Sequence, residues 1–156
     1  MKKVKFSLIA IFACLFAISC SSSDDLGLGG DGSKSLSAKI DGANFEAAGL
    51  TTSAIVTNGV LTIQGGKSNG ETIRITIFNY KGAGTYKTGD NISNTSGMNY
   101  ITLTPIATWS STFNIGSGTL VVSSDSGSKV QGTFEFNGVN GSASKNITNG
   151  MFSIEY

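Results

Sequence analysis

The sequence predicts an all-β fold, either a single antiparallel β-sandwich or a partly open barrel, built as a meander of hairpins from about ten short strands. From Leu36 onward, apolar residues alternate with polar ones, as at Ile73, Ile75 and Ile77, and no apolar pattern with the helical period is sustained. Asx-Gly pairs separate the alternating segments and supply the positive φ angles that tight hairpins need. Because such alternation gives each strand one buried and one solvated face, we expect antiparallel pairing around one core.

The first four predicted strands form two hairpins. They cover residues 36–40, 44–48, 52–57 and 60–65. Asp41-Gly42 is the expected turn of the first hairpin. Asn58-Gly59 is the expected turn of the second, and it is the clearest hairpin signal in the chain.

The middle of the domain contains three predicted strands. They cover residues 72–79, 99–104 and 109–114. Asn69-Gly70 is the turn pair before the first of them, and Ile101 and Leu103 alternate with polar neighbours in the second. Pro105 has no N–H to donate to a ladder, so we expect it to end the second strand or to lie on an edge.

Three more predicted strands close the chain. They cover residues 119–124, 129–137 and 150–156. Alternation is clear at Phe134 and Phe136, and a turn at 125–128 is expected to join the first two of these strands. Further turns are expected at Asn137-Gly138, Asn140-Gly141 and Asn149-Gly150.

A lipoprotein signal peptide is predicted at the N-terminus. Three lysines among the first five residues precede an apolar run from Phe6 to Ile18, and Cys20 follows. The run is shorter than the roughly 20 residues that a membrane-spanning helix needs. The pattern resembles the bacterial lipobox, which implies that residues 1–19 are removed and that Cys20 carries fatty acyl chains.

A polar, glycine-rich tether is predicted over residues 20–35, because this composition cannot offset the entropy lost on ordering. After Cys20 it begins with Ser21, Ser22, Ser23, Asp24 and Asp25. These residues resemble the export signal that sends lipoproteins of Bacteroidota to the outer face of the outer membrane. We therefore expect the domain of residues 36–156 to face outside the cell, with the membrane as its partner through acylated Cys20.

The composition disfavours catalysis. The chain has no histidine, and its two cysteines, Cys14 and Cys20, belong to the signal peptide and to the lipid anchor. The commonest general base near neutral pH and the commonest metal ligand are therefore missing. We expect no catalytic residue, metal or cofactor, although Glu135 and Glu155 on the closing strands leave a carboxylate pair open. The mature chain keeps eight basic against ten acidic residues, so no nucleic acid partner is expected.

The best candidate ligand surface lies between residues 80 and 109, where aromatic residues are interleaved with asparagines. Its candidate residues are Tyr80, Tyr86, Asp90, Tyr100 and Trp109. Aromatic faces stack on sugar rings or peptides, while amides and carboxylates bind hydroxyl groups. The alternative is that these aromatic residues pack in the core or along strand edges. The loop from Lys81 to Gly97 is the part expected to face a ligand.

Both ends of the domain resemble a family of small lipoproteins of Bacteroidota whose function is uncharacterised. The resemblance rests on the closing segments Lys129–Phe136 and Ile147–Tyr156 and on the opening segment 38–45. It implies no catalytic residue. We therefore predict a membrane-anchored bacterial lipoprotein whose domain binds a glycan or an envelope protein without catalysis. A barrel that carries a small apolar ligand and a structural envelope component are the alternatives, and the oligomeric state is left open.

Overall fold

The computed structural model describes residues 34–156, which form one antiparallel sheet of eleven strands curled into an open half-barrel. A short 3-10 turn, Gly49–Thr51, is the one helical segment of this range. The strands are β1 (Lys34–Ile40), β2 (Ala43–Glu46), β3 (Ser53–Thr57), β4 (Val60–Gly66), β5 (Thr72–Ile77), β6 (Gly84–Thr88), β7 (Gly97–Leu103), β8 (Ile106–Ser111), β9 (Ser117–Asp125), β10 (Lys129–Asn140) and β11 (Ala143–Glu155). The predicted all-β class is confirmed, and the sheet has the form of a partly open barrel.

Several predictions fall on residues outside the described range. These are the signal peptide, the lipidation site Cys20, the export signal Ser21–Asp25 and most of the tether. The described part begins with β1 at Lys34, close to the predicted domain boundary. Within residues 34–156, no helix has the length and apolar character needed to cross a membrane.

The long strand β10 joins three branches of the sheet. On one side it pairs with β11, and the sheet continues through β1 to β2. On the other side it pairs with β9 from Val130 to Asn137 and with β8 at Val139. The sheet continues from β9 to β6, and from β8 through β7, β5 and β4 to β3. Strands β6 and β3 therefore lie at the ends of two separate branches.

Large apolar side chains fill the inner face of the curled sheet. Alternate residues along most strands point inward, and this is the pattern that the sequence shows. The largest fully buried side chains include Phe45, Leu61, Ile63, Ile73, Ile75, Ile77, Met98, Leu120, Val130, Ile147 and Ile154. Burying one such side chain contributes about 1.5–3 kcal/mol, so the inward set holds the half-barrel together.

Two predicted Asx-Gly turns and the predicted end of a strand at Pro105 are confirmed. Asp41 and Gly42 have φ angles of 49° and 89°, and Asn58 and Gly59 have φ angles of 51° and 74°. These are the positive values that a tight hairpin turn demands and that Asp, Asn and Gly tolerate best. Pro105 lies in the short turn between β7 and β8, so it does end the strand before it.

The turns predicted at Asn137-Gly138 and Asn149-Gly150 are wrong, because both pairs lie inside the long hairpin of β10 and β11. Gly138 is a packing residue, since a Cβ there would lie 2.9 Å from the Cβ of Trp109. Asn149, with a φ angle of 51°, belongs to a β-bulge where β11 has one residue more than β10. The hairpin turns just beyond Asn140, as the pair Asn140-Gly141 predicts.

The sequence does not predict β6, and it places β8 at 109–114 instead of Ile106–Ser111. Tyr86 is the one large apolar residue of β6, so five residues with a glycine at the start show no alternation. Pairing with β9 forms this strand. The start of β8 is misplaced because the chain turns at once after Pro105, without a longer loop.

Candidate functional site

A surface depression of about 340 Å³ lies between the end of β5, strand β6 and the loop that follows β6. We call it the loop depression. It is lined by Phe78, Asn79, Thr85, Tyr86, Lys87, Asn91, Ser93, Asn94 and Ser96. Its lining combines two aromatic rings with amide and hydroxyl groups, and Lys87 is its one charged side chain.

Hydrogen bonds within the loop fix its shape. The Oδ1 of Asn91 accepts a hydrogen bond from the N–H of Ser93 at 2.9 Å. The Nδ2 of Asn94 donates to the carbonyl oxygen of Lys87 at 2.7 Å and to the Oδ1 of Asp90 at 2.6 Å. Asn94 thus ties the loop to the edge of β6 that does not face β9. Local side-chain bonds of this kind hold a loop in one conformation before a ligand arrives.

Two aromatic rings border the loop depression. Phe78 is 41% exposed, and its backbone N–H donates to the Oγ of buried Ser96 at 3.1 Å. Tyr86 is half-buried, and its Oη donates to the carbonyl of Gly82 at 2.7 Å and accepts from the N–H of Lys81 at 3.1 Å. Since the hydroxyl of Tyr86 is already bonded, this residue offers only its ring. Phe78 presents an apolar face to solvent from a fixed backbone position.

Tyr80 is buried and belongs to a cluster around half-buried Asp125. The ring of Tyr80 is 5.4 Å from that of Tyr86, and its Oη donates to the Oδ2 of Asp125 at 2.6 Å. The Oδ1 of Asp125 accepts from the Oη of Tyr156 at 2.7 Å and from the N–H of Gly127 at 2.9 Å. Burial opposes ionisation of Asp125, but these hydrogen bonds outweigh it and hold its pKa below the usual range. Burial and then the bond to Asp125 raise the pKa of Tyr80, and the same causes raise the pKa of Tyr156 to about 12.

Tyr100 and Trp109 form a second aromatic cluster on the neighbouring strands β7 and β8. Their rings stack with centroids 5.5 Å apart, and Phe45 packs edge-on against Tyr100 at 6.4 Å. The Nζ of Lys145 lies 5.1 Å from the centre of the Trp109 ring. Burial, followed by the charge of Glu71, raises the pKa of Tyr100 to about 12. Neither Tyr100 nor Trp109 lines the loop depression.

The structure brings few of the predicted site residues together. Tyr86 lines the loop depression, and the carboxylate of exposed Asp90 holds the loop beside it. Tyr80 and Tyr100 are buried, and Trp109 packs against the core. The packing alternative therefore describes these three residues. The segment from Lys81 to Gly97, predicted as a loop, contains strand β6, and Thr88 and Ser96 within it are buried.

Sequence reasoning missed Phe78 and Lys87. The alternation of Ile73, Ile75 and Ile77 puts Phe78 on the solvated side of the predicted strand 72–79. A large aromatic side chain at such a position is the signal that identifies it. Lys87 belongs to β6, which the sequence does not predict.

Three further depressions lie side by side on the outer face of the sheet, with volumes of about 410, 530 and 380 Å³. The first shares Lys87 with the loop depression. It shares Thr119 and Glu135 with the second, and the second shares Thr133 and Met151 with the third. The four depressions therefore form one continuous surface.

The two candidate carboxylates do not converge. Glu155 lies opposite Lys129 in the ladder of β10 and β11, so Glu135 is six residues farther along β10. That separation is about 20 Å at the rise of a β-strand. Within residues 34–156, no three or more His, Cys, Asp or Glu side chains are grouped so as to hold a metal ion.

A family model described as a domain of unknown function (DUF6252) matches residues 32–154. The match agrees with the predicted membership of a family of uncharacterised function. No curated protein and no solved structure matches the chain.

Proposed function

The chain belongs to this family of unknown function, and we propose that it is a lipid-anchored, non-catalytic binding protein that takes a glycan in the loop depression. The exposed ring of Phe78 carries the proposal. It is 41% exposed among the amide and hydroxyl groups of the depression, beside the half-buried ring of Tyr86. Such a ring is the group on which the apolar face of a sugar stacks.

The polar groups around Phe78 suit the rim of a sugar ring. The hydroxyls of Thr85 and Ser93 both donate and accept, and the Nδ2 of Asn91 donates. These side chains line the same depression as Phe78. Because the loop is already held by its own hydrogen bonds, little conformational entropy is lost when a ligand binds.

We also propose that the domain faces outward from the outer membrane, attached through acylated Cys20. The basic start, the apolar run and the serine and acid residues after Cys20 support this location. The tether enters the domain at Lys34, the first residue of β1. The cross-strand register puts Thr85 level with Ser37, about 10 Å along β1 from Lys34. A ligand in the loop depression would thus stay clear of the membrane surface.

The glycan function is tested by screening the purified protein on an array of microbial, plant and host polysaccharides. We expect binding, and we expect Phe78→Ala to weaken it by about tenfold, the usual loss when one central contact of a binding site is removed. Ile106→Ala is the matched control, because Ile106 is 85% exposed at the turn between β7 and β8. It should bind as the unchanged protein does.

Two results would contradict this function: no binding to any polysaccharide, or equal binding by Phe78→Ala. Capture of an envelope protein that Phe78→Ala abolishes would instead support the protein-partner alternative. The location is tested separately by fatty-acid labelling and by protease treatment of intact cells. Cys20→Ala should abolish labelling, and the domain should be cleaved without lysis.

A further inference from the structure

The outer face of the sheet continues the loop depression across five strands. Strands β6, β9, β10, β11 and β1 are neighbours in that order. One cross-strand row on this face consists of Thr85, Val121, Thr133, Met151 and Ser37. Thr85 also lines the loop depression, so the row begins at the candidate site. The row crosses four interstrand spacings, which is about 19 Å.

This row alternates hydroxyl groups with apolar side chains. Val121 and Met151 are 39% and 58% exposed, and Thr133 lies between them. The 530 Å³ depression lies over these residues, beside the bulge at Asn149. The row itself contains no charged side chain, and Glu135 is the one charged residue that lines the 530 Å³ depression. The row therefore offers the same chemistry as the loop depression, apolar patches among hydroxyls, over a much greater length.

We propose that the glycan is a linear polysaccharide bound along its length, with one sugar at Phe78 and the following sugars on the row from Thr85 to Ser37. The inference rests on the proposed glycan-binding function. A linear sugar chain presents alternating apolar faces and hydroxyl rims over tens of ångströms, which matches the row. The low charge of the row favours a neutral polysaccharide.

An extended peptide fits this face less well. Peptides that lie along sheets gain most of their affinity from unpaired backbone groups at an edge. Here β9, β10, β11 and β1 are each paired with a neighbouring strand on both sides. A ligand on this face therefore contacts side chains and not free backbone groups, and most of the side chains of the row carry hydroxyls.

The experiment uses chain length as the variable. A polysaccharide found on the array is supplied as a series from disaccharide to octasaccharide, and the affinity of each is measured by calorimetry. We expect affinity to rise by at least about tenfold from the short to the long members and then to level off, because each added contact lowers the dissociation constant. Thr133→Arg places a bulky side chain in the middle of the row, on an exposed strand position. It should remove the gain of the long members and leave the short ones within about twofold of the unchanged protein.

Thr108→Arg is the matched control, since Thr108 is an exposed strand residue of β8 outside the row. It should leave the whole series unchanged. Equal affinity at every chain length, or an equal loss for short and long members in Thr133→Arg, would overturn the extended site. The loop depression would then be the whole of the binding site. A failure of every glycan to bind would overturn the proposed function itself. Peptide binding that Thr133→Arg abolishes would overturn the assignment of a polysaccharide.

Discussion

Replacing Asp125 with Ala is expected to destabilise the domain by about 2–4 kcal/mol. The carboxylate accepts hydrogen bonds from Tyr80 at 2.6 Å, Tyr156 at 2.7 Å and Gly127 at 2.9 Å. The hydroxyl of Tyr80, a residue only 7% exposed, would lose its partner, which costs about 1.5–3 kcal/mol for a bond to a charged group. Tyr156 is 38% exposed, so water replaces most of its bond, and the two remaining contacts add about 0.5–1 kcal/mol.

Urea unfolding followed by the fluorescence of Trp109, the one tryptophan of the chain, measures this loss. The midpoint should fall while the denaturant slope stays the same. In thermal unfolding we expect the midpoint temperature to fall by about 8–16 °C, since about 4 °C corresponds to 1 kcal/mol in a domain of this size. A double-mutant cycle with Tyr80→Phe isolates the bond between the two side chains. A loss below about 0.5 kcal/mol, or additive effects in the cycle, would refute the reasoning.

The same bonds predict a pH dependence. The pKa of Asp125 is lower in the folded state than in the unfolded chain, where it is about 3.9. Below that value the unfolded chain binds the proton more readily, so the contribution of Asp125 is fully present above about pH 4 and is lost as the pH falls through the folded pKa. Asp125→Asn should lose less stability than the unchanged protein between pH 5 and pH 2.

Two further substitutions test the packing of the last hairpin and its link to the first. Gly150→Ala should lower the free energy of unfolding in urea by about 1–3 kcal/mol, because the added methyl would lie 2.4 Å from the carbonyl oxygen of Phe134. Gly66→Ala is the milder control, since the nearest atom to its methyl is a side-chain hydroxyl at 3.1 Å. An equal loss of stability in both variants would contradict this prediction. The hydrogen bond from the N–H of Asn146, followed by the one from the side chain of Lys145, lowers the pKa of Asp41. The contribution of Asp41 to stability is therefore present above about pH 4 and disappears at lower pH. Asp41→Asn keeps the positive φ and one acceptor, and it should cost less than about 1 kcal/mol at pH 7 and flatten the pH profile below pH 4, whereas an unchanged profile would exclude that contribution.

The strands and their inward faces were largely predictable, because burial requires alternation and alternation is visible in one sequence. The turns were predictable only where an Asx-Gly pair reverses the chain. Asn58-Gly59 and Asn149-Gly150 look alike in the sequence, yet the first is a turn and the second lies in a bulge. The two glycines differ in how closely their surroundings pack. A Cβ at Gly150 would clash with Phe134, whereas a Cβ at Gly59 would have no atom closer than 4.0 Å. The close packing at Gly150 exists only after β10 and β11 have paired, so the sequence does not show it.

The candidate site was harder to predict, because nothing in a sequence constrains the outward residues of a sheet. The inward set must be apolar, but Thr85, Thr133 and Ser37 share a row only because the register of four ladders aligns them. A slip of one residue in any ladder would turn such residues toward the core. Such a slip is strongly unfavourable, because inward-facing chain neighbours of these residues, such as Phe134 beside Thr133, would lose their burial. The apolar core therefore fixes the outer surface indirectly, and the position of Phe78 beside the row depends on packing that its own neighbours in the chain do not specify.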